Sequence, residues 1–309
     1  MIITITLNPA MDKTVTIPGF AVDKVNRVNN IRLDPGGKGI NVCKVVAALG
    51  GESLAMGFLG GNTGHAILQM LRQMKIDTDF EMIEGETRTN LKVVDPVGKT
   101  YTDINEPGPL VTQDEIEALE KRLFGRIRAG DIVVLAGGAP KAIPAKLLNR
   151  WTQHCKELGA WVYADLDGEL LVQTVEAVPY FVKPNDAELS YLLGKPVEST
   201  QDIVEGAQAL LEKGIRRVVV SLGAKGALFA KEGQMLVAQN LPVEVKSTVG
   251  AGDSLLAAFA WCHTKGMDWE ESARWAMATA NAKVTCEGSG PPERSQIEKY
   301  YHQIHCRIL

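Results

Sequence analysis

The strongest constraint on this chain is its alternation of short apolar runs with helix-length amphipathic stretches. Runs such as Ile2–Leu7, Ser53–Leu59, Asp131–Ala136, Trp161–Asp165, Phe181–Lys183 and Arg217–Ser221 have the length and β-branched content of strands. Between them, Gly39–Leu49, His65–Met74, Asp114–Arg126, Ala145–Leu158 and Asp202–Lys213 place apolar residues at helical spacing. A strand that is apolar at nearly every position needs cover on both faces, the condition of a parallel sheet between two helical layers. The sequence therefore predicts an α/β fold: one three-layer α/β/α domain over residues 1–309, with a mostly parallel central sheet.

Two stretches interrupt the alternation. Lys13–Leu33 holds β-type runs at Thr14–Ile17 and Val28–Leu33 with no helix between them. Thr89–Asp103 reads as a hairpin turning at Asp95-Pro96-Val97-Gly98. Both are too polar for a buried sheet, so insertions at approximately 13–33 and 87–105 are expected to form a small β layer standing off the main domain.

Composition removes several function classes. The 309 residues are 45% hydrophobic and 23% charged, enough apolar material for a full core. With 33 basic against 37 acidic side chains the net charge is −4, without the basic surplus of a nucleic-acid or anionic-membrane binder. No apolar run approaches the ~18 residues of a membrane span. An anionic ligand must then be met by a local cluster of cations or by helix-terminal amides. The five cysteines are odd in number and lack a Cys-x-x-Cys pair, and so read as reduced thiols. The first residues read as a strand rather than a leader, so the expected location is cytoplasmic.

Four motifs carry candidate chemistry. Gly250-Ala251-Gly252-Asp253 leads into an apolar helical run, where small residues leave successive N–H groups bare at the positive end of the helix. Asp253 is either an ordinary helix-start carboxylate or a general base facing a nucleophilic hydroxyl. Gly36-Gly37-Lys38-Gly39-Ile40-Asn41 opens another helix without the Gly-Lys-Ser/Thr triplet of a Walker loop. Lys183-Pro184-Asn185-Asp186-Ala187-Glu188 follows an apolar strand; Asn185 and Glu188 suit either a helix cap or oxygen ligation of Mg²⁺. Ser221-Leu222-Gly223-Ala224-Lys225-Gly226 follows another strand, as a nucleotide-binding turn or a plain hairpin entry. Asp12, Arg27, Lys38, Arg88 and Asn90 fall in or beside the two insertions, where converging cations would balance a phosphate.

Taken in this order the motifs resemble the ribokinase-like (PfkB) family of carbohydrate kinases, from Thr6-Leu7-Asn8-Pro9-Ala10-Met11-Asp12 to the C-terminal helices. The resemblance implies ATP and Mg²⁺ as cofactors, with Asp253 as catalytic base and Gly250, Ala251 and Gly252 as the anion hole. It implies that Lys183, Asn185, Ser221, Gly223, Gly226 and Asn281 surround ATP, with Asn185 and Glu188 holding Mg²⁺ directly or through water. It assigns Asp12, Gly37, Lys38, Asn41, Arg88 and Asn90 to the sugar, and Arg27 to the substrate phosphate of a neighbouring subunit. The small β layer becomes a lid over the sugar and the expected homodimer contact.

Three positions depart from the family's pattern: Cys43 and Ser247 within its two signatures, and Ala136-Gly137-Gly138-Ala139-Pro140 near the sugar. Within the family, Thr6–Asp12 and Arg88-Thr89-Asn90 resemble kinases of phosphorylated hexoses. The favoured reaction is D-fructose 1-phosphate to D-fructose 1,6-bisphosphate, ahead of tagatose 6-phosphate and then fructose 6-phosphate. A non-catalytic sugar-phosphate sensor is the rival from another class; it would be favoured by a degraded base or anion hole. A dinucleotide enzyme would want Gly-x-Gly-x-x-Gly after the first strand, where this chain has Asn8-Pro9-Ala10-Met11.

Overall fold

The computed structural model describes all 309 residues. Its strands are β1 (Ile2–Thr6), β2 (Ala10–Thr16), β3 (Asn30–Gly36), β4 (Ser53–Gly60), β5 (Asp77–Ile83), β6 (Arg88–Asp95), β7 (Thr100–Asn105), β8 (Ile132–Ala136), β9 (Trp161–Asp165), β10 (Phe181–Val182), β11 (Arg217–Ser221), β12 (Ala227–Lys231), β13 (Gln234–Ala238) and β14 (Cys306–Ile308). The helices are α1 (Lys38–Ala48), α2 (Gly61–Gln73), α3 (Gln113–Arg126), α4 (Lys146–Glu157), α5 (Gly168–Glu176), α6 (Asp186–Leu193), α7 (Thr200–Glu212), α8 (Ala251–Thr264), α9 (Trp269–Val284) and α10 (Arg294–Tyr301).

Ten strands form the large sheet in the order β14-β13-β12-β11-β10-β9-β8-β1-β4-β5. Every pair from β5 to β11 is parallel, and β12, β13 and β14 extend one edge antiparallel. One face packs on α3 to α7 through 34 buried residues and the other on α1, α8, α9 and α10 through 32, so neither side of the sheet is left to water. That even burial is why the central strands lack polar alternation.

The small sheet has the order β3-β2-β6-β7, with β2 and β6 parallel across the two insertions. Strand β2 begins earlier and β3 ends later than the apolar runs indicate, since Ala10 pairs with Gly36 and Met11 with Pro35. Proline is tolerated there because β3 is an edge strand whose outer side needs no donor. Register sorts the side chains into two faces: Asp12, Arg32, Asp34, Asn90 and Lys92 on one, Val15, Ile31, Leu33, Leu91, Val93 and Ile104 on the other. Phe20 and Ile17 cover Val15 and Val93, whereas Ile31, Leu33 and Ile104 are 54%, 48% and 53% exposed.

Four elements escape the sequence pattern: β5, α5, β14 and α10. In β5 the charges of Asp79 and Glu81 break the apolar run, yet both pair with Arg122, and Asp79 also with Arg126, on α3. An edge strand covered by a basic helix face does not need to be apolar. Helix α2 begins four residues before the expected His65, because the Glu86 carboxylate accepts from the N–H groups of Asn62 and Thr63 and caps it from another element. All five cysteines are free, but Cys286 and Cys306 are only partly buried.

Candidate active site

Strand β1 has β4 on one side and β8 on the other, so the chain reverses its direction of winding there. Open α/β sheets bind ligands beyond the carboxyl ends of the strands at such a point. A cavity of about 330 Å³ occupies it, lined by Thr6 at the end of β1, Asn8 just beyond it, and Gly137 and Gly138 after β8. Asp12, Asn90, Lys92 and Asn105 of the small sheet cover it, and Gly37, Lys38 and Asn41 enter from the start of α1. Arg88, Gly250 and Asp253 complete the wall. Five buried polar atoms on these walls have no partner in the protein: Thr6 Oγ1, Asn8 Oδ1, Asn41 Oδ1, Arg88 Nε and Asn90 Oδ1. Buried polar atoms are ordinarily satisfied, so this concentration marks a place for a ligand rich in hydroxyls or charge.

Helices α1 and α8 both start at this cavity from glycines of positive φ, Gly37 at 122° and Gly250 at 78°. No side chain caps α8, and the N–H groups of Gly252 and Asp253 have no acceptor within the protein. Asp253 does sit in the first turn of α8, as a helix-start carboxylate would, but its side chain caps no backbone N–H. Its carboxylate instead faces the cavity, where Oδ2 accepts from Asn41 Nδ2 at 2.8 Å. Burial and the nearby Asp165 push its pKa up to about 6, against the pull of Asn41, Lys38 and Lys183.

Asp165, the last residue of β9, is buried and ion-paired twice: Oδ1 with Lys38 Nζ at 3.0 Å and Oδ2 with Lys183 Nζ at 3.2 Å. Burial would raise its pKa, but the two lysines outweigh it and hold the group below the usual carboxylate range. For Lys38 burial opposes the charge, yet Asp165 and Asp253 prevail and raise its pKa. Two carboxylates and two ammoniums thus form one neutral set.

On the other side of α8 lies a larger, more apolar cavity of about 560 Å³. Ser221, Gly223 and Gly226 line it together with Leu241, Val243, Val245, Met277 and Val284, and Asn185 also borders it. Ala251 and Gly252 line this cavity while Gly250 and Asp253 line the first. The N-terminus of α8 is their common wall. Asn281 also borders the larger cavity, but its amide is spent on the protein: Oδ1 accepts from Leu241 N–H at 2.8 Å and Nδ2 donates to Met277 O at 2.7 Å. Its contribution is to place the 240–241 segment.

Asn185 and Glu188 form a reciprocal cap on α6, Asn185 Oδ1 accepting from Glu188 N–H at 2.8 Å and Glu188 Oε2 from Asn185 N–H at 2.9 Å. Burial raises the Glu188 pKa, helped by Asp165, while the Asn185 N–H, Lys38 and Lys183 draw it down. The helix-cap reading is thus correct for these side chains. Glu188 Oε1 makes no hydrogen bond within the protein, and the carboxylate feels the same two lysines. Arg27 is not brought to either cavity; it sits exposed in the link between β2 and β3. The motifs do not single out Thr6, Asn8, Lys92 and Asn105, which line the smaller cavity, or Asp165, which pairs with both lysines. For Asp165 there was a signal, a charged residue closing an otherwise apolar strand.

A sequence profile of the pfkB family of carbohydrate kinases matches residues 3–296. The chain belongs to this family. Among its relatives, 1-phosphofructokinase of Vibrio cholerae is 36% identical over 308 residues, covering 100% of this chain and 97% of that protein. The 1-phosphofructokinase of Bacillus subtilis is 35% identical over 295 residues, covering 95% of each. Phosphofructokinase-2 of Escherichia coli, solved with substrates and products, superposes with a TM-score of 0.94 at 29% identity, covering 98% of each chain. Membership in the pfkB family makes this chain a carbohydrate kinase, and its three-layer fold with a second, smaller sheet is the family's.

Proposed function

We propose that this pfkB family kinase transfers the γ-phosphoryl group of ATP to the 6-hydroxyl of D-fructose 1-phosphate, giving D-fructose 1,6-bisphosphate and ADP. The observation that carries the reading is the shared wall: the bare amides at the start of α8 divide a small polar cavity from a larger apolar one. The relatives named 1-phosphofructokinase support the choice of substrate.

In this reading the sugar hydroxyl lies beside Asp253 and attacks the γ-phosphorus in line. One O–P bond forms, the bond to the bridging oxygen of ADP breaks, and the hydroxyl proton passes to Asp253. A pKa of about 6 leaves that carboxylate ionised at neutral pH yet basic enough to accept a proton. The free amides of Gly252 and Asp253 meet the charge spread over the equatorial oxygens, and such a donor is worth roughly 3–4 kcal/mol. Asp165 keeps Lys38 and Lys183 extended toward the same point. The hydroxyls fall to Asp12, Asn41 and Asn90, and the standing phosphate to Arg88 and Lys92.

Glu188 and Asn185 would hold Mg²⁺. The free oxygen of Glu188 fits an ion that takes one carboxylate and completes its shell with water and phosphate oxygens. When bound, the ion neutralises charge on the β- and γ-phosphates.

The apolar face of the small sheet supports a second copy of this chain as its cover. Ile31, Leu33 and Ile104 lie together on it, and the sheet's polar face is already committed to the cavity. Such a homodimer would bring Arg27 toward a neighbouring site. ADP release assayed with D-fructose 1-phosphate, fructose 6-phosphate, tagatose 6-phosphate and ribose tests the substrate. The highest kcat/KM is expected for fructose 1-phosphate; preference for either 6-phosphate would replace it, and no sugar-dependent release would restore the sensor reading.

A further inference from the structure

The segment after α9 passes beneath the turn that opens α8, and three consecutive carbonyls in it are each taken by a different cation. Arg32 Nη2, from β3, donates to Glu287 O. Lys283 Nζ, from α9, donates to Gly288 O at 2.6 Å. Lys44 Nζ, from α1, donates to Ser289 O at 2.7 Å and to Pro35 O at 2.8 Å. Lys44 and Lys283 are each only 2% exposed. Neither has a carboxylate within ion-pair distance, in contrast to Lys38 and Lys183.

Burying an ammonium without a counter-ion is expensive, and a neutral amide or a water satisfies a carbonyl more cheaply. The cost is understandable if the charge acts on something nearby. For Lys283 that neighbour is the phosphoryl-binding turn. A Cβ placed on Gly250 would lie 3.2 Å from Lys283 Cε and 3.8 Å from Asp253 Oδ2, so lysine and carboxylate flank the same glycine. The chain entering the turn leans on the same helix end, Lys246 N–H and Ser247 N–H both donating to Val284 O. Burial draws the Lys283 pKa below that of an ordinary lysine, with Asp34 and Asp253 among the groups opposing the shift.

We propose that Lys283 is a positioning residue for phosphoryl transfer: its ammonium anchors the segment carrying these carbonyls under Gly250–Gly252 and keeps a fixed positive charge behind the anion-binding amides. It lines neither cavity and touches neither substrate. It acts through the turn, and the inference rests on the kinase reading of that turn. Lys44 secures the same segment to the Gly36-Gly37 side of the sugar cavity, and Arg32 ties it to the small sheet.

The test separates charge from packing. Lys283→Gln keeps an N–H donor for Gly288 O and removes the charge. Its kcat is expected to fall by roughly 10- to 100-fold, a fraction of what loss of a direct oxyanion donor does. The KM values for sugar phosphate and ATP should stay within about threefold, since the charge acts on the transition state. A kcat within about twofold of wild type would overturn the proposal. In Lys283→Ala, ammonium chloride is expected to restore part of the turnover and tetramethylammonium chloride at equal ionic strength none. A folded Ala variant indifferent to ammonium would equally overturn it. Both assays use whichever sugar phosphate the wild-type chain turns over, so an error in the substrate assignment shows in the wild type alone.

Discussion

Asn41 and Asp253 stand 212 residues apart in the chain and meet at 2.8 Å, the amide Nδ2 donating to carboxylate Oδ2. Each comes from the first turn of a helix that a glycine of positive φ starts, so the two Gly-rich motifs converge on one bond. The bond is electrostatic as well as geometric: it stabilises the ionised carboxylate against burial and against Asp165.

The pH dependence follows from that balance. A base with a pKa of about 6 loses its function as pH falls through that value, so kcat/KM should decline with a slope of one below about pH 6. Asn41→Ala removes a contact that lowers the pKa, and the acidic limb should move to higher pH. A pH–rate profile of both proteins checks this; an unmoved limb would separate Asn41 from the titration.

Asp253→Asn should lower kcat by roughly 10²–10⁴-fold, the range of general-base assistance, with ATP still bound. It should also raise the unfolding midpoint at pH 7.5. The folded pKa of about 6 exceeds the ordinary 3.8, so between those values the folded chain holds a proton that the unfolded chain has released. Ionisation therefore costs stability that is lost in full above about pH 6, and asparagine removes that cost. Thermal melts of the two proteins decide it.

Arg88 already spends Nη1 on Glu106 O and Nη2 on Asn8 O, which leaves Nε, unpartnered and buried, for the ligand. Arg88→Ala should raise the KM for a sugar phosphate by roughly 10- to 100-fold, as loss of a charge-assisted hydrogen bond does. The unphosphorylated sugar should be affected far less. Equal effects on both, measured side by side, would remove Arg88 from phosphate binding.

Replacing Ile31 and Leu33 together by Asp places two charges on the apolar face of the small sheet without touching the polar one. Sedimentation velocity should then show a shift from dimer to monomer, together with a lower kcat/KM if Arg27 serves the neighbouring site. A wild-type protein that sediments as a monomer would dismiss this dimer.

Much of the architecture was legible in the residues. The strands Trp161–Asp165 and Arg217–Ser221 run where their apolar content puts them, and both Gly-rich turns open helices. Asp253 stands out as a candidate for a local reason, because the bare turn before a helix is written in adjacent residues. Asn281 does border the larger cavity, but that its amide is used to hold Leu241 is not readable in the sequence, since its partner lies 40 residues away. Strand β5 is not legible as a strand because its charges are matched by Arg122 and Arg126 of a different element. The start of α2 is not legible locally because its cap, Glu86, comes from beyond β5.

By itself, then, the sequence determined what short-range rules govern: which segments are strands buried on both faces, where helices begin, and which residue types stand at their bare ends. Only the tertiary structure decided that Asp165 holds Lys38 and Lys183 together, that α8 divides two cavities, and that Asp253 turns to Asn41 instead of capping its helix. The reason is physical. Periodicity and backbone freedom are properties of neighbouring residues, whereas desolvation and the field of distant charges exist only after the chain has closed around them.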